Sequence, residues 1–137
     1  MATQAVLEDS AEATAPSGIA LVEATERGLP LERVAALRSR GLTFAEVGEI
    51  VIPPRTLKHR QARGGRLTAD ESERLLRVER TLAFADKVFG NPENALHWLR
   101  VPDPRWGDRS GLSLLRTEAG GKLVENTLGQ IDEGIFP

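Results

Sequence analysis

The stretch TFAEVGEIVIPPRTLKHRQARGG, residues 43–65, contains the pattern that decides the fold. Thr43 followed by Glu46 is a capping box, in which each side chain satisfies a free amide in the first turn of a helix. The helix that starts there is predicted to run about seven residues, because two consecutive prolines then interrupt it. Pro54 suits the first position of a second helix, predicted over 54–63. A short helix, a sharp break and a second helix are the layout of a helix-turn-helix.

The second helix lies in a basic island. No acidic residue occurs between Glu49 and Asp70, and five basic side chains fall in that interval. Such an island on a chain of net charge −2 indicates a localised contact with a polyanion. A solvated basic face is the alternative interpretation, but the capped helix directly before it favours DNA. We predict that the DNA-binding residues are Arg55, Thr56, Lys58, His59, Arg60, Arg63 and Arg66.

The roles within this set follow from helix geometry. At about 100° per residue, Arg55, Thr56, His59 and Arg63 share one arc, and Leu57 points to the far side, where the core is expected. Arginine on the outward arc can pair bidentately with guanine, whereas the flanking Lys58 and Arg60 suit phosphate contacts. A single recognition helix makes few contacts, so we expect a dimer that spans two half-sites.

A long helix follows this motif. Thr68 and Glu71 form a second capping box, which opens a helix predicted over Ala69–Phe89 and stopped by Gly90. Its apolar side chains step by three and four residues and so form one stripe, namely Leu75, Val78, Leu82, Ala85 and Phe89. This stripe either packs on the protein's own helices, which we favour, or forms the interface of a dimer.

Working outward, the remaining chain is also helical. Helix starts and stops predict a helix over 19–27, one from Pro30 to Gly41, one over 92–99, a short turn over 110–115 and a last helix over 118–133. Apart from Val51–Ile52, no run suggests a strand, so the predicted class is all-α. The predicted organisation is a disordered leader over 1–17, a helix-turn-helix domain over 18–90 and a second helical domain over 91–137. A loop around Pro102–Gly107 is predicted to separate two lobes.

The last third of the chain has features of a protein-binding surface. Trp106 lies in a loop bounded by proline and glycine, with Arg109 and Arg116 nearby, and tryptophan and arginine are enriched at binding hot spots. Ile135 and Phe136 place two large apolar residues near the end of the chain, where they either dock on the core or enter a partner. Trp98, at helical spacing from Ala95, is predicted to be core.

Two glycines in the first turn of the last helix, Gly120 and Gly121, also need an explanation. Each costs about 1 kcal/mol relative to alanine. Their presence predicts the close approach of another backbone, either from a partner or, as we favour, from a neighbouring helix.

An ordered set of segments resembles the Xre/MbcA/ParS antitoxin family. The first half matches through Pro54-Arg55-Thr56-Leu57, Leu67-Thr68 and Glu71–Leu75. The second half matches through Trp98-Leu99, Leu114-Leu115, Thr117-Glu118 with Gly120, and the ending 131–136. The resemblance covers about residues 18–137 and keeps the order of both halves.

The resemblance implies a function. It implies that the chain is the antitoxin of a type II toxin–antitoxin pair, and that its C-terminal domain covers the active site of an NAD-consuming toxin of the RES fold. It also implies binding to operator DNA, repression of its own operon, and a homodimer within a larger complex. The toxin-binding residues then expected are Trp106, Arg109, Arg116, Glu118, Gly120, Ile135 and Phe136.

Several other classes are disfavoured by the residues themselves. The chain has no cysteine, and its two histidines, His59 and His97, lack metal-ligand spacing, so neither a metal nor another cofactor is expected. Without a phosphate loop or nucleophile elbow, an enzyme is not predicted. No apolar segment suits a bilayer or a signal peptide, so we expect a cytoplasmic protein. The alternative function is a stand-alone helix-turn-helix regulator or a partition protein.

Overall fold

A computed structural model describes residues 17–135. The leader up to residue 16 and Phe136 therefore lie outside the described residues. Within this range the chain forms eight α-helices, which confirms the all-α prediction. Their bounds are α1 Gly18–Arg27, α2 Glu32–Arg40, α3 Phe44–Ile50, α4 Pro54–Ala62, α5 Ala69–Phe89, α6 Pro92–Arg100, α7 Gly111–Leu114 and α8 Glu118–Asp132.

Both predicted capping boxes are present. The Thr43 hydroxyl accepts the amide of Glu46, whose carboxylate accepts the amide of Thr43, and Thr68 and Glu71 repeat the arrangement at the start of α5. Gly90 ends α5 in the left-handed conformation that glycine adopts at low cost. The bounds predicted for α5 are therefore confirmed.

The break between α3 and α4 is a buried turn. Val51 and Ile52, the pair that looked most like a strand, are both buried there and form no strand. Gly48 allows the close packing, because a Cβ at that position would lie 2.8 Å from the Cδ of Pro54. Pro54 occupies the first turn of α4 as predicted, and Leu57 inserts into the core.

The long helix α5 forms the centre of the molecule. It packs against α6 and α8 from the C-terminal half of the chain and against α1, α2 and α3 from the N-terminal half. Leu75, Val78, Leu82 and Ala85 are buried in a core that both halves of the chain share. The stripe thus packs on the protein's own helices, as we favoured. The prediction that a loop separates two lobes is wrong, because α5 packs with helices from both halves of the chain in a single core.

The segment that we predicted as a plain loop contains a small antiparallel hairpin. Pro102–Asp103 (β1) pairs with Arg109–Ser110 (β2), and a 3₁₀ turn over Pro104–Trp106 lies between them. The Asp103 carboxylate accepts the amide of Arg105 at 2.8 Å and also binds its guanidinium. A strand of two residues is too short to show the alternation of apolar and polar side chains that identifies strands in a sequence. This hairpin could therefore not be predicted.

No helix within 17–135 is long and apolar enough to cross a membrane. In the same part of the chain, no three acidic or histidine side chains come together as metal ligands would.

Candidate nucleic-acid interface and second binding surface

Helix α4 presents a basic face to solvent. Arg55, Lys58 and His59 are exposed, and Thr56 is half-buried beside them. Leu57, on the opposite side of the helix, is only 7% exposed. The helical periodicity of α4 therefore separates a core-facing side from a solvent-facing basic side, as the sequence predicted.

The cationic residues of this region are not equivalent. Within residues 17–135, Arg55, Lys58 and Arg63 form no ion pair with a carboxylate. Arg63 lies directly after the end of α4 and is exposed. These three charges are therefore available to a polyanion.

Arg60 and Arg66 are held by the protein itself. The Arg60 guanidinium forms an ion pair with the Glu71 carboxylate and also donates to the Arg66 carbonyl at 3.3 Å. Arg66 donates from Nη1 to the Gly28 carbonyl at 3.0 Å. Arg60 is thus tied to the framework by an ion pair, whereas Arg66 makes one hydrogen bond to it and stays exposed.

Each capping-box glutamate is also bound by an arginine from another element. Arg100, at the end of α6, binds Glu46 through two hydrogen bonds of 2.8 Å and donates to the Gly41 carbonyl at 2.9 Å. Burial alone would raise the pKa of Glu46, but the hydrogen bonds from Arg100 and from the Thr43 backbone outweigh it and lower the pKa below 4.5.

Glu71 shows the same balance. Burial raises the pKa of its carboxyl group, whereas the hydrogen bonds from Arg60 and from the backbone of Thr68 lower it, and the net shift is downward from 4.5. The ionised carboxylates of Glu46 and Glu71 are therefore part of the folded structure.

A second surface lies where α3 meets α7. Arg109 and Arg116 are exposed and line a shallow depression, and its other lining residues are Glu49, Ser113, Leu114 and Thr117. The Nε atom of Arg109 donates to the Trp106 carbonyl at 3.2 Å, which orients the side chain. The structure thus brings two of the predicted toxin-binding arginines together.

Trp106 is half-buried and packs against the core. Its ring meets Trp98 edge-to-face with centroids 6.1 Å apart, and Trp98 in turn lies 5.6 Å from Phe89. The packing of Trp98 against the core confirms its predicted place. Part of the Trp106 ring is therefore committed to the fold, and only its remaining surface is free for a partner.

The other predicted toxin-binding residues are dispersed. Glu118 is exposed at the start of α8, and Ile135 is 53% exposed just after its end. Gly120 is buried, and a Cβ there would overlap the carbonyl oxygen of Leu114. The backbone that approaches Gly120 is therefore that of α7, in agreement with the neighbouring-helix interpretation.

Comparison with known families places two domains along the chain. The model of the antitoxin Xre-like helix-turn-helix domain matches residues 20–80, and that of the antitoxin Xre/MbcA/ParS C-terminal toxin-binding domain matches residues 84–134. An Antitoxin Xre of Yersinia enterocolitica is 32% identical over 89% of this chain and 84% of its own length. The chain belongs to the Xre family of antitoxins.

Two further Xre antitoxins are similar. One from Photorhabdus laumondii is 33% identical over 87% of the chain and 82% of its own length. One from Pseudomonas putida is 39% identical over 83% of the chain, and the match spans 64% of that longer relative. The two matched domains meet within α5, so the Xre helix-turn-helix and the toxin-binding domain share this helix.

Two arginines that the sequence interpretation missed link these domains. Arg77 on α5 is buried and donates from Nη1 to the Leu115 carbonyl at 3.0 Å. Gly121 was the available signal, because a Cβ there would lie 2.7 Å from the Cδ of Arg77. The prediction that a backbone approaches Gly121 is therefore wrong, because the group packed there is the Arg77 side chain. Arg100 is the second, and its partner Glu46 is 54 residues away in the chain.

The lowered pKa values predict acid sensitivity. The unfolded chain takes up protons near pH 4.5, before the folded protein does, so acid favours unfolding. The stabilisation from Glu46 and Glu71 should be complete above that pH and be lost as the pH falls through the lower folded values. Urea unfolding between pH 7 and 3.5 measures this, and a Glu46→Gln/Glu71→Gln variant should show a shallower acid decline. Equal declines in both proteins would contradict the assignment.

Proposed function

We propose that this Xre-family antitoxin neutralises a toxin of the RES fold and represses its own operon. In this proposal, residues 91–137 cover the toxin's NAD-consuming active site, and residues 18–90 bind operator DNA through α4. Both activities would take place in the cytoplasm, within a complex of antitoxin homodimers and toxin. The match of residues 84–134 to a toxin-binding domain carries the proposal.

The exposed basic face of α4 supports the DNA-binding half of the proposal. Arg55, Lys58 and Arg63 would meet phosphates and base edges, with Thr56 and His59 beside them. Because one short helix covers only a few base pairs, a dimer would place two copies of α4 in successive major grooves. Because the chain matches a helix-turn-helix domain and a toxin-binding domain, we propose a binding protein, not an enzyme.

The arginine pair at the depression between α3 and α7 supports the toxin-binding half. Arg109 and Arg116 are exposed beside the half-buried Trp106, so the three can form one contact area. Glu118, which is exposed at the start of α8, would extend this area. Ile135 is exposed beyond the other end of α8, so we propose that it and Phe136 form a separate contact with the toxin. Gly120 would contribute indirectly, through the close packing of α8 on α7.

Co-expression with the product of the neighbouring gene tests this proposal. We expect the two proteins to co-purify, and we expect cells that express both to keep their NAD and grow. An Arg109→Glu/Arg116→Glu variant should weaken the complex at least about tenfold. A toxin surface that is complementary to two arginines would repel two glutamates in their place. The control is Arg27→Glu, which reverses an exposed charge outside the proposed contact area and outside the matched residues 84–134.

Two outcomes would contradict the proposal. If the neighbouring protein neither co-purified nor depleted NAD when expressed alone, the stand-alone regulator would be the better description. If the Arg109→Glu/Arg116→Glu variant protected cells as well as the control, the toxin-binding surface would lie elsewhere on the C-terminal domain.

A further inference from the structure

We infer that Arg60 is a positioning residue that fixes the recognition helix α4 against α5 through Glu71, and that it does not contact DNA. The inference rests on the proposed DNA-binding function. It divides the basic residues of α4 into an outward set that meets DNA and one inward arginine that holds the helix in place.

The Arg60 side chain is fixed along its whole length. Its alkyl part passes over Gly65, where a Cβ would lie 2.8 Å from the Cγ of Arg60. Its guanidinium binds both the Glu71 carboxylate and the Arg66 carbonyl. The side chain is only 23% exposed, in contrast to the exposed Arg55, Lys58 and Arg63.

The carboxylate that holds Arg60 cannot easily release it. The side chain of Glu71 is 10% exposed, and its Oε1 atom also accepts the Thr68 amide at 2.8 Å in the capping box of α5. Movement of Arg60 towards a phosphate would leave a largely buried carboxylate without its cation, which is strongly unfavourable. A DNA contact by Arg60 would therefore require loss of its ion pair with Glu71 at the start of α5.

The geometry of α4 shows why a second anchor is needed. Leu57 is the one buried apolar side chain in this nine-residue helix, and Pro54 packs against Gly48 at its start, so both of these contacts lie in the first half of α4. At about 100° per residue, Arg60 lies about 60° from Leu57 around the helix, whereas Arg55 and His59 lie about 160° away. Arg60 is therefore on the inner side, and its ion pair sets the rotation that presents Arg55 and His59.

A Glu71→Gln variant distinguishes the two roles by the sign of its effect. Glutamine preserves the capping box but removes the charge that holds Arg60. If Arg60 contacted phosphate, the freed guanidinium and the lost negative charge would tighten DNA binding and steepen its salt dependence. If Arg60 positions α4, affinity should fall about tenfold with no increase in the salt slope.

The measurement is fluorescence anisotropy with a duplex that covers the region upstream of the gene encoding this chain, at several salt concentrations. Arg60→Met is the complementary variant: loss of a phosphate contact would reduce the salt slope by about 0.9, whereas loss of an anchor should lower affinity at an unchanged slope. Thr68→Ala is the matched control, because it removes the other half of the same capping box and leaves the Arg60–Glu71 pair intact. It should retain wild-type affinity.

Amide hydrogen exchange in the free protein tests the anchor without DNA. We expect faster exchange at residues 58–62 in Glu71→Gln and Arg60→Met, and wild-type exchange there in Thr68→Ala. Unchanged exchange in the first two variants, tighter DNA binding by Glu71→Gln, or equal loss of affinity in Thr68→Ala would overturn the inference. Failure of the wild-type protein to bind the duplex would instead refute the proposed function, and exchange would still decide the role of Arg60.

Discussion

Replacement of both Arg55 and Arg63 by alanine is expected to reduce operator affinity at least about 100-fold, while the fold and toxin neutralisation stay intact. A good bidentate arginine–guanine pair contributes about 1–3 kcal/mol, so the loss of two outward arginines accounts for an effect of this size. Neither side chain has a carboxylate partner within the described part of the chain, so their removal leaves no buried charge unpaired.

Gel shifts with the upstream duplex measure this loss, and co-expression with the toxin measures neutralisation. The matched control is Lys87→Ala/Lys122→Ala, which removes two exposed charges that lie on α5 and α8, away from α4. The control should bind the duplex within about twofold of wild type, because distant surface charges are screened by salt. Normal gel shifts by the Arg55→Ala/Arg63→Ala variant would show that α4 is not the recognition helix.

Local sequence signals were sufficient for the helices. Thr68, Glu71 and Gly90 define both ends of α5 because the capping hydrogen bonds join residues that are close together in the sequence. Leu57 could be assigned to the core for a similar reason, since its neighbours on the same helix are polar and the 3.6-residue period separates the two faces. The exposed basic arc of α4 followed from the same period.

Long-range pairings could not be predicted in this way. The basic island contains five cations, and nothing in their spacing indicates that Arg60 alone faces a carboxylate, eleven residues away on another helix. The choice depends on how α4 packs on α5. Arg100 and Glu46 are 54 residues apart, and their pairing likewise requires the folded core.

The shared core also changes how the second surface should be tested. The sequence suggested two lobes, which would allow the C-terminal one to be removed. In the structure, Val124 and Leu128 of α8 are buried in the same core as Leu75 and Val78 of α5, so truncation would expose apolar surface in the helix-turn-helix half. Point variants such as Arg109→Glu/Arg116→Glu avoid that problem.

Gly120→Ala is expected to lower the free energy of unfolding by about 3 kcal/mol, the upper range for overpacking in a core. Gly120 lies in the first turn of α8, where the Thr117 hydroxyl accepts its amide at 3.0 Å. An added Cβ would overlap the carbonyl oxygen of Leu114 and lie 2.8 Å from its carbonyl carbon. Both atoms belong to backbone, so no flexible side chain can move aside. The next carbonyl, that of Leu115, is held by Arg77, which further resists displacement of α7.

Gly129→Ala is a matched control on the same helix, with the opposite expected sign. No atom lies within 4 Å of a Cβ built at Gly129, so alanine there should stabilise α8 by about 0.5–1 kcal/mol through its higher helix propensity. Urea unfolding of both variants measures the difference. If Gly120 instead served only to admit a toxin loop, Gly120→Ala would unfold like wild type and lose only its affinity for the toxin. A stability loss in the free antitoxin therefore separates packing of α8 on α7 from contact with the partner.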